Sequence, residues 1–166
     1  MFNGTRLVAI RRHRPGRWQR GPRMKISARN ILAGEVVDVV KGAVNAEVRI
    51  ALKSGGEIVT AIITNSSVDS LGLAKGKAAY AVIKASEVMI GKGVDSARLS
   101  ARNVLSGTIA KLKDGAVNSE VVIALAGGSE VVASITRESV AALGLNTGDR
   151  VSAIIKASNV LVGVDH

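Results

Sequence analysis

The feature that most limits what this chain can fold into is that its second half repeats its first. "SARN" at 27–30 returns at 100–103, an offset of 73, and the same offset relates "GAVN" at 42–45 to 115–118. After a glycine turn that is one residue shorter in the second copy the offset becomes 72. It then relates "SVDSLGL" (67–73) to "SVAALGL" (139–145) and "IKAS" (83–86) to "IKAS" (155–158). Residues 24–93 and 98–166 are therefore a tandem duplication, joined by Val94-Asp95-Ser96-Ala97. Two copies are too few for a solenoid, so two similar small domains side by side are expected.

Within one copy the hydrophobic period is mostly two. "AEVRIALK" (46–53) sends Val48, Ile50 and Leu52 to one face and Glu47, Arg49 and Lys53 to the other, the pattern of a half-buried strand. "EVVDVVK" (35–41), "EIVTAIIT" (57–64) and "KAAYAVIK" (77–84) read as strands too, with Gly42 and Gly55-Gly56 at hairpin turns and "EVMIG" as a short last strand. One helical piece interrupts them. "SSVDSLGL" spaces Val68 and Leu71 three apart, with Thr64, Asn65 or Ser66 as N-cap and Gly72 at the end. The predicted order is β-β-β-α-β-β: an all-β fold with one short helix per repeat, two OB-type barrels in tandem. Tyr80 is the one aromatic residue in either copy. So thin a core predicts that repeats, and subunits, stabilise one another by packing together.

The formal net charge of +10 is concentrated at one end. Residues 1–23 hold seven arginines and no acid, together with Phe2, Trp18 and both prolines, which leaves the rest of the chain at only +3. That segment is predicted to be a disordered basic extension, either an upstream addition to a protein starting at Met24 or a nucleic-acid-binding arm. The body lacks the aromatic platforms that single-stranded nucleic acid stacks on, so no specific nucleic-acid partner is expected. Cysteine is absent and only His13 and His166 supply imidazole, which excludes thiolate chemistry and leaves little for a directly ligated metal. No nucleophile–base arrangement suggests an enzyme. Neither a membrane span nor a signal peptide is recognisable, so the expected compartment is the cytoplasm. "GLAKGK" (72–77) is one residue short of a P-loop and is followed by Ala78 where Ser or Thr is needed.

The polar residues present in both copies are almost all hydrogen-bond donors: Ser27 and Ser100, Arg29 and Arg102, Asn30 and Asn103, Lys84 and Lys156, Ser86 and Ser158. Thr64 with Ser67, and Thr136 with Ser139, add hydroxyls where a helix begins. The shared acids are Glu47 and Glu120, on the outer face of a strand. A donor-rich, carboxylate-poor set suits an oxyanion that carries no proton of its own. Plain structural roles compete with this reading. Ser27 and Asn30 can cap a turn, Thr64 and Thr136 can cap the helices, and Arg29 can pair with Glu47 or another carboxylate.

Together, "SARN", "GAVN(A/S)EV", "SVxxLGL" and "IKAS(E/N)V" resemble the Mop domain of molybdate-binding proteins, and two in tandem resemble the molbindins. The resemblance covers essentially all of 24–166. It implies an OB-type barrel per Mop domain, cytoplasmic binding of molybdate or tungstate for storage or homeostasis, and assembly into a trimer with anions held between domains and subunits. The ligand would be the oxyanion itself, with no cofactor and no direct bond from protein to metal. Carried onto this chain, the resemblance nominates Ser27, Arg29, Lys84, the N–H of Ala85 and Ser86, with Ser100, Arg102, Lys156, Ala157 and Ser158 in the second copy. Asn30 and Asn103 fall inside the same phrases. Val44-Asn45 and Val117-Asn118 would form a further oxyanion site. Tandem Mop domains also make up the ligand-sensing half of molybdate-responsive regulators; no helix-turn-helix segment is recognisable here.

Overall fold

The computed structural model describes residues 25–165, so the basic segment 1–23, Met24 and His166 lie outside the described residues. The first copy runs β1 (Asn30–Lys41), β2 (Asn45–Leu52), β3 (Ile58–Thr64), α1 (Asn65–Ser70), β4 (Ala78–Ile83) and β5 (Met89–Gly91). The second runs β6 (Asn103–Asp114), β7 (Asn118–Leu125), β8 (Glu130–Thr136), α2 (Arg137–Leu143), β9 (Arg150–Ile155) and β10 (Leu161–Gly163). Single 3-10 turns, Ala85–Glu87 and Ala157–Asn159, precede the last strand of each copy. The β-β-β-α-β-β order is the one the periodicity predicts.

Alternation explains β2 and β7, whereas β4 and β9 are buried on both faces. Val48, Ile50 and Leu52 are 0–2 % exposed while Arg49 between them stays in solvent. Burying each such aliphatic side chain stabilises the fold by about 1.5–3 kcal/mol. β1 is long because it serves two partners: Asn30–Glu35 pair with β4, and Gly34–Lys41 pair with β2 through a register shift between Val36 and Asp38. Gly34 lies where the two pairings overlap. A Cβ there would sit 2.4 Å from the carbonyl oxygen of Ala51, and Gly107 is equally crowded by Ala124 at 2.6 Å. Only glycine lets the strand bend tightly enough to curl the sheet. The helices are too short to stand alone. Thr64 and Thr136 cap them by accepting from the N–H of Ser67 and Ser139, and Val68 and Val140 anchor them to the core.

The two copies are not merely side by side. The sheets have the order β10-β4-β1-β2-β3 and β5-β9-β6-β7-β8, with every neighbouring pair antiparallel. Each copy's last strand is thus given to the other copy's sheet. Gly163 lies opposite Tyr80, and Gly91 opposite Ser152. Tyr80 seals one of these exchanges by donating its hydroxyl to Asp165 at 2.8 Å. The β2–β3 and β7–β8 hairpin tips also meet. A Cβ on Gly55 would fall 2.1 Å from the Cα of Gly127, whose N–H donates to Glu57 at 2.7 Å. In consequence the buried aliphatic residues form one cluster running through both copies, from Leu32 to Val160. The thinness of each core is offset by sharing it.

Candidate functional site

The strand exchange explains where the repeated polar phrases fall. Lys84-Ala85-Ser86 is the segment by which the chain leaves β4 and crosses to the other sheet as β5; Lys156-Ala157-Ser158 makes the reverse crossing between β9 and β10. The first 3-10 turn packs on β8 and the second on β3. The "SARN" phrases enter beside them. Asn30 lies opposite Ile83, and Asn103 opposite Ile155, so each copy's Ser-Ala-Arg segment adjoins its own Lys-Ala-Ser crossover.

Asn30 and Asn103 are 1 % and 0 % exposed, and each acts as a piece of main chain. Asn30 accepts from the N–H of Val132 at 2.7 Å and donates to its carbonyl at 2.8 Å, with a further 3.2 Å bond to the carbonyl of Ile83. Asn103 does the same to Thr60, accepting at 2.7 Å and donating at 2.8 Å. The amides therefore close the outer edges of β8 and β3. Their groups are committed to the scaffold.

The arginines that precede them point to solvent and meet carboxylates of the opposite copy. Arg29 donates twice to Glu120, at 2.7 and 2.8 Å, and Arg102 donates to Glu47 at 2.7 Å. The ion-pair alternative for Arg29 is realised, crosswise: the equivalent acid, Glu120, takes the place proposed for Glu47. The Glu120 carboxyl is held below the usual range, first by the Arg29 hydrogen bond, which burial opposes, and then by the charges of Arg29, Lys113 and Lys111. Ser27, Ser100, Lys84, Lys156, Ser86 and Ser158 are exposed. The opening N–H groups of each crossover turn, from Ala85 and Ala157, have no acceptor inside the turn, which leaves them free of intrahelical bonding. Each crossover thus carries an exposed lysine and serine beside its own copy's Ser-Ala-Arg segment, while Ala85 between them is half-buried and Ala157 is buried.

The other nominated residues form a second cluster at the far end of β1 and β6. Val44 and Asn45 occupy the β1–β2 turn, where the Val44 carbonyl accepts from the N–H of Asn65 at 2.9 Å and Asn45 lies opposite Thr64. Val117 accepts likewise from Arg137, and Asn118 faces Thr136. Val44 and Val117 are 71 % and 73 % exposed. The hydroxyls of Thr64 and Thr136 are engaged as caps, each also 2.8 Å from the following Ser67 or Ser139 Oγ. The two ends differ in charge. The first carries a Lys41–Asp69 ion pair, whereas in the second Asp114 accepts from Ser119. Among the described residues no group of three His, Cys, Asp or Glu is placed to hold a metal ion, and no helix is long and apolar enough to cross a membrane.

The repeated domain has known relatives. The TOBE domain model matches residues 26–90 and 99–162. The molybdenum-pterin-binding protein MopA of Rhodobacter capsulatus is 44% identical over 141 residues, 85% of this chain and 53% of that protein. The molybdenum transport protein ModE of Azotobacter vinelandii is 43% identical over 141 residues, 85% of this chain and 52% of its own. The chain spans about half the length of these relatives. The crystal structure of the cytoplasmic molybdate-binding protein ModG, with molybdate bound, superposes with a TM-score of 0.81 at 51% identity, covering 85% of this chain and 99% of that one.

Proposed function

The chain belongs to the TOBE-domain family, carrying the domain twice, and from that membership we propose that it binds molybdate, or the isosteric tungstate, as a cytoplasmic store or buffer. The observation that carries the reading is the convergence of the two repeated donor phrases at each strand crossover. Arg29, Lys84, Ser27, Ser86 and the Ala85 N–H form one donor set; Arg102, Lys156, Ser100, Ser158 and the Ala157 N–H form its counterpart. Asn30 and Asn103 hold the frame. The turns at Val44-Asn45 and Val117-Asn118 are the second class of oxyanion site. The molybdate-bound relative at 51% identity supports the choice of ligand. Such a protein binds and releases its ligand without transforming it, and the exposed valines of the turns are apolar surface that assembly, expected as a trimer from the family resemblance, would cover.

A pocket of neutral and cationic donors takes tetrahedral dianions. Size favours molybdate and tungstate over the smaller sulfate and phosphate. Calorimetric titration with molybdate, tungstate, sulfate and phosphate tests this. Tight binding of the first two alone is expected; equal binding of all four would reduce the site to a generic basic patch. A second reading, the ligand-sensing part of a molybdate-responsive regulator, is favoured by the match to half of ModE. Molybdate-dependent retardation of DNA by the full chain would support it.

A further inference from the structure

Both guanidinium groups in the donor sets are already held by a carboxylate of the opposite repeat. Arg29 presents two parallel N–H groups to Glu120 at 2.7 and 2.8 Å, and Arg102 presents one to Glu47 at 2.7 Å. A forked donor of this kind suits a carboxylate and a tetrahedral oxyanion equally well, and one fork cannot serve both. The pairs lie open: side-chain exposures are 56% and 35% for Arg29 and Glu120, and 54% and 25% for Arg102 and Glu47. A dissolved dianion reaches them without unfolding anything, and ion pairs this exposed are weakly held.

We infer that Glu47 and Glu120 are displaceable internal competitors that set the affinity of the oxyanion sites. Without anion, each carboxylate keeps the guanidinium of the other repeat oriented; a bound dianion takes its place. Glu120 has somewhere to go, because Lys113 lies directly opposite it in the β6–β7 register. Glu47 faces Val40 at the equivalent place. The inference rests on the oxyanion reading above and deepens it by naming two acids, on β2 and β7, that determine how tightly the sites hold.

The test is calorimetric titration of the full chain with sodium molybdate, comparing wild type with Glu120→Gln, Glu47→Gln, Arg29→Ala and the Arg29→Ala/Glu120→Gln double variant. Glutamine keeps the shape of glutamate, and circular dichroism verifies the fold. Each glutamine variant should bind roughly two- to fivefold more tightly, the strength of an exposed ion pair removed. In the Arg29→Ala background Glu120→Gln should gain nothing, because the contested fork is gone. Unchanged affinity in the single variants would make the pairs purely structural and overturn the inference. So would a gain that persists without Arg29, which would be a general charge effect. Weaker molybdate binding in Glu120→Gln would overturn it too, by showing a carboxylate that helps hold the ligand. Wild-type protein that takes up no molybdate at all is a different result, removing the oxyanion reading and the competition with it.

Discussion

Asn30 and Val132, 102 residues apart in sequence, pair as two strand residues would, the Asn30 amide meeting both the N–H and the carbonyl of Val132. Replacing Asn30 or Asn103 by alanine removes both bonds and strands two main-chain groups at a covered edge. The expected loss is about 2–4 kcal/mol per site, read as a lower denaturant midpoint with an unchanged slope. Aspartate should be no better, since it keeps the acceptor but buries a charge and loses the donor.

Lys84→Ala and Lys156→Ala should leave the anion-free midpoint nearly unchanged, because exposed lysines are worth within about 0.5 kcal/mol. If each faces a bound dianion, its removal costs a charge-assisted hydrogen bond of roughly 1.5–3 kcal/mol, or about ten- to more than a hundredfold in molybdate affinity. The thermal upshift on adding molybdate should shrink accordingly. Variants with wild-type affinity would show that the crossovers are turns only.

Acidification should loosen the contact between repeats. The Glu120 carboxyl titrates below its ordinary range, chiefly because of the Arg29 hydrogen bond, and Asp149 does so because of its bond from Lys92. A depressed carboxylate contributes stability that is present above its unfolded pKa, about 4, and is lost as pH falls through the folded value. Denaturation midpoints should therefore be flat from these groups above about pH 5 and decline below it. Glu120→Gln should decline less steeply; an identical profile would mean the pair does not persist in solution.

In solution the chain should form a stable trimer. Light scattering that gives a monodisperse monomer of about 17 kDa with molybdate binding intact would rule out sites shared between subunits.

Local features of this fold are legible in the sequence because they have local causes. The alternation of Val48, Ile50 and Leu52 foretells their burial, and Thr64 and Thr136 cap the helices that follow them. The strand exchange leaves no such mark. Ile90 pairs with Ala153 and Val162 with Ala81; since both copies carry alanine at that place, neither strand's composition says which sheet it joins. The same equivalence hides the partner of Arg29, for Glu47 and Glu120 are interchangeable until the copies are interlocked. Asn30 and Asn103 look like ligand donors from their neighbours alone. That they stand in for main chain depends on an edge strand more than 40 residues away in one case and 100 in the other.

The position of β10 in the sheet that starts at Asn30 also sets the timing of folding on the ribosome. When β5 has been made, the first sheet still lacks its edge, and the residues that complete it are Leu161–Gly163, 70 or so positions later. At roughly 5–20 residues per second the β4 edge stays uncovered for several seconds or longer. During that interval an unpaired edge with Tyr80, Ala81 and Val82 is open to any strand of the right pattern. The first sheet therefore stays one strand short, and the shared core incomplete, until β10 has been made.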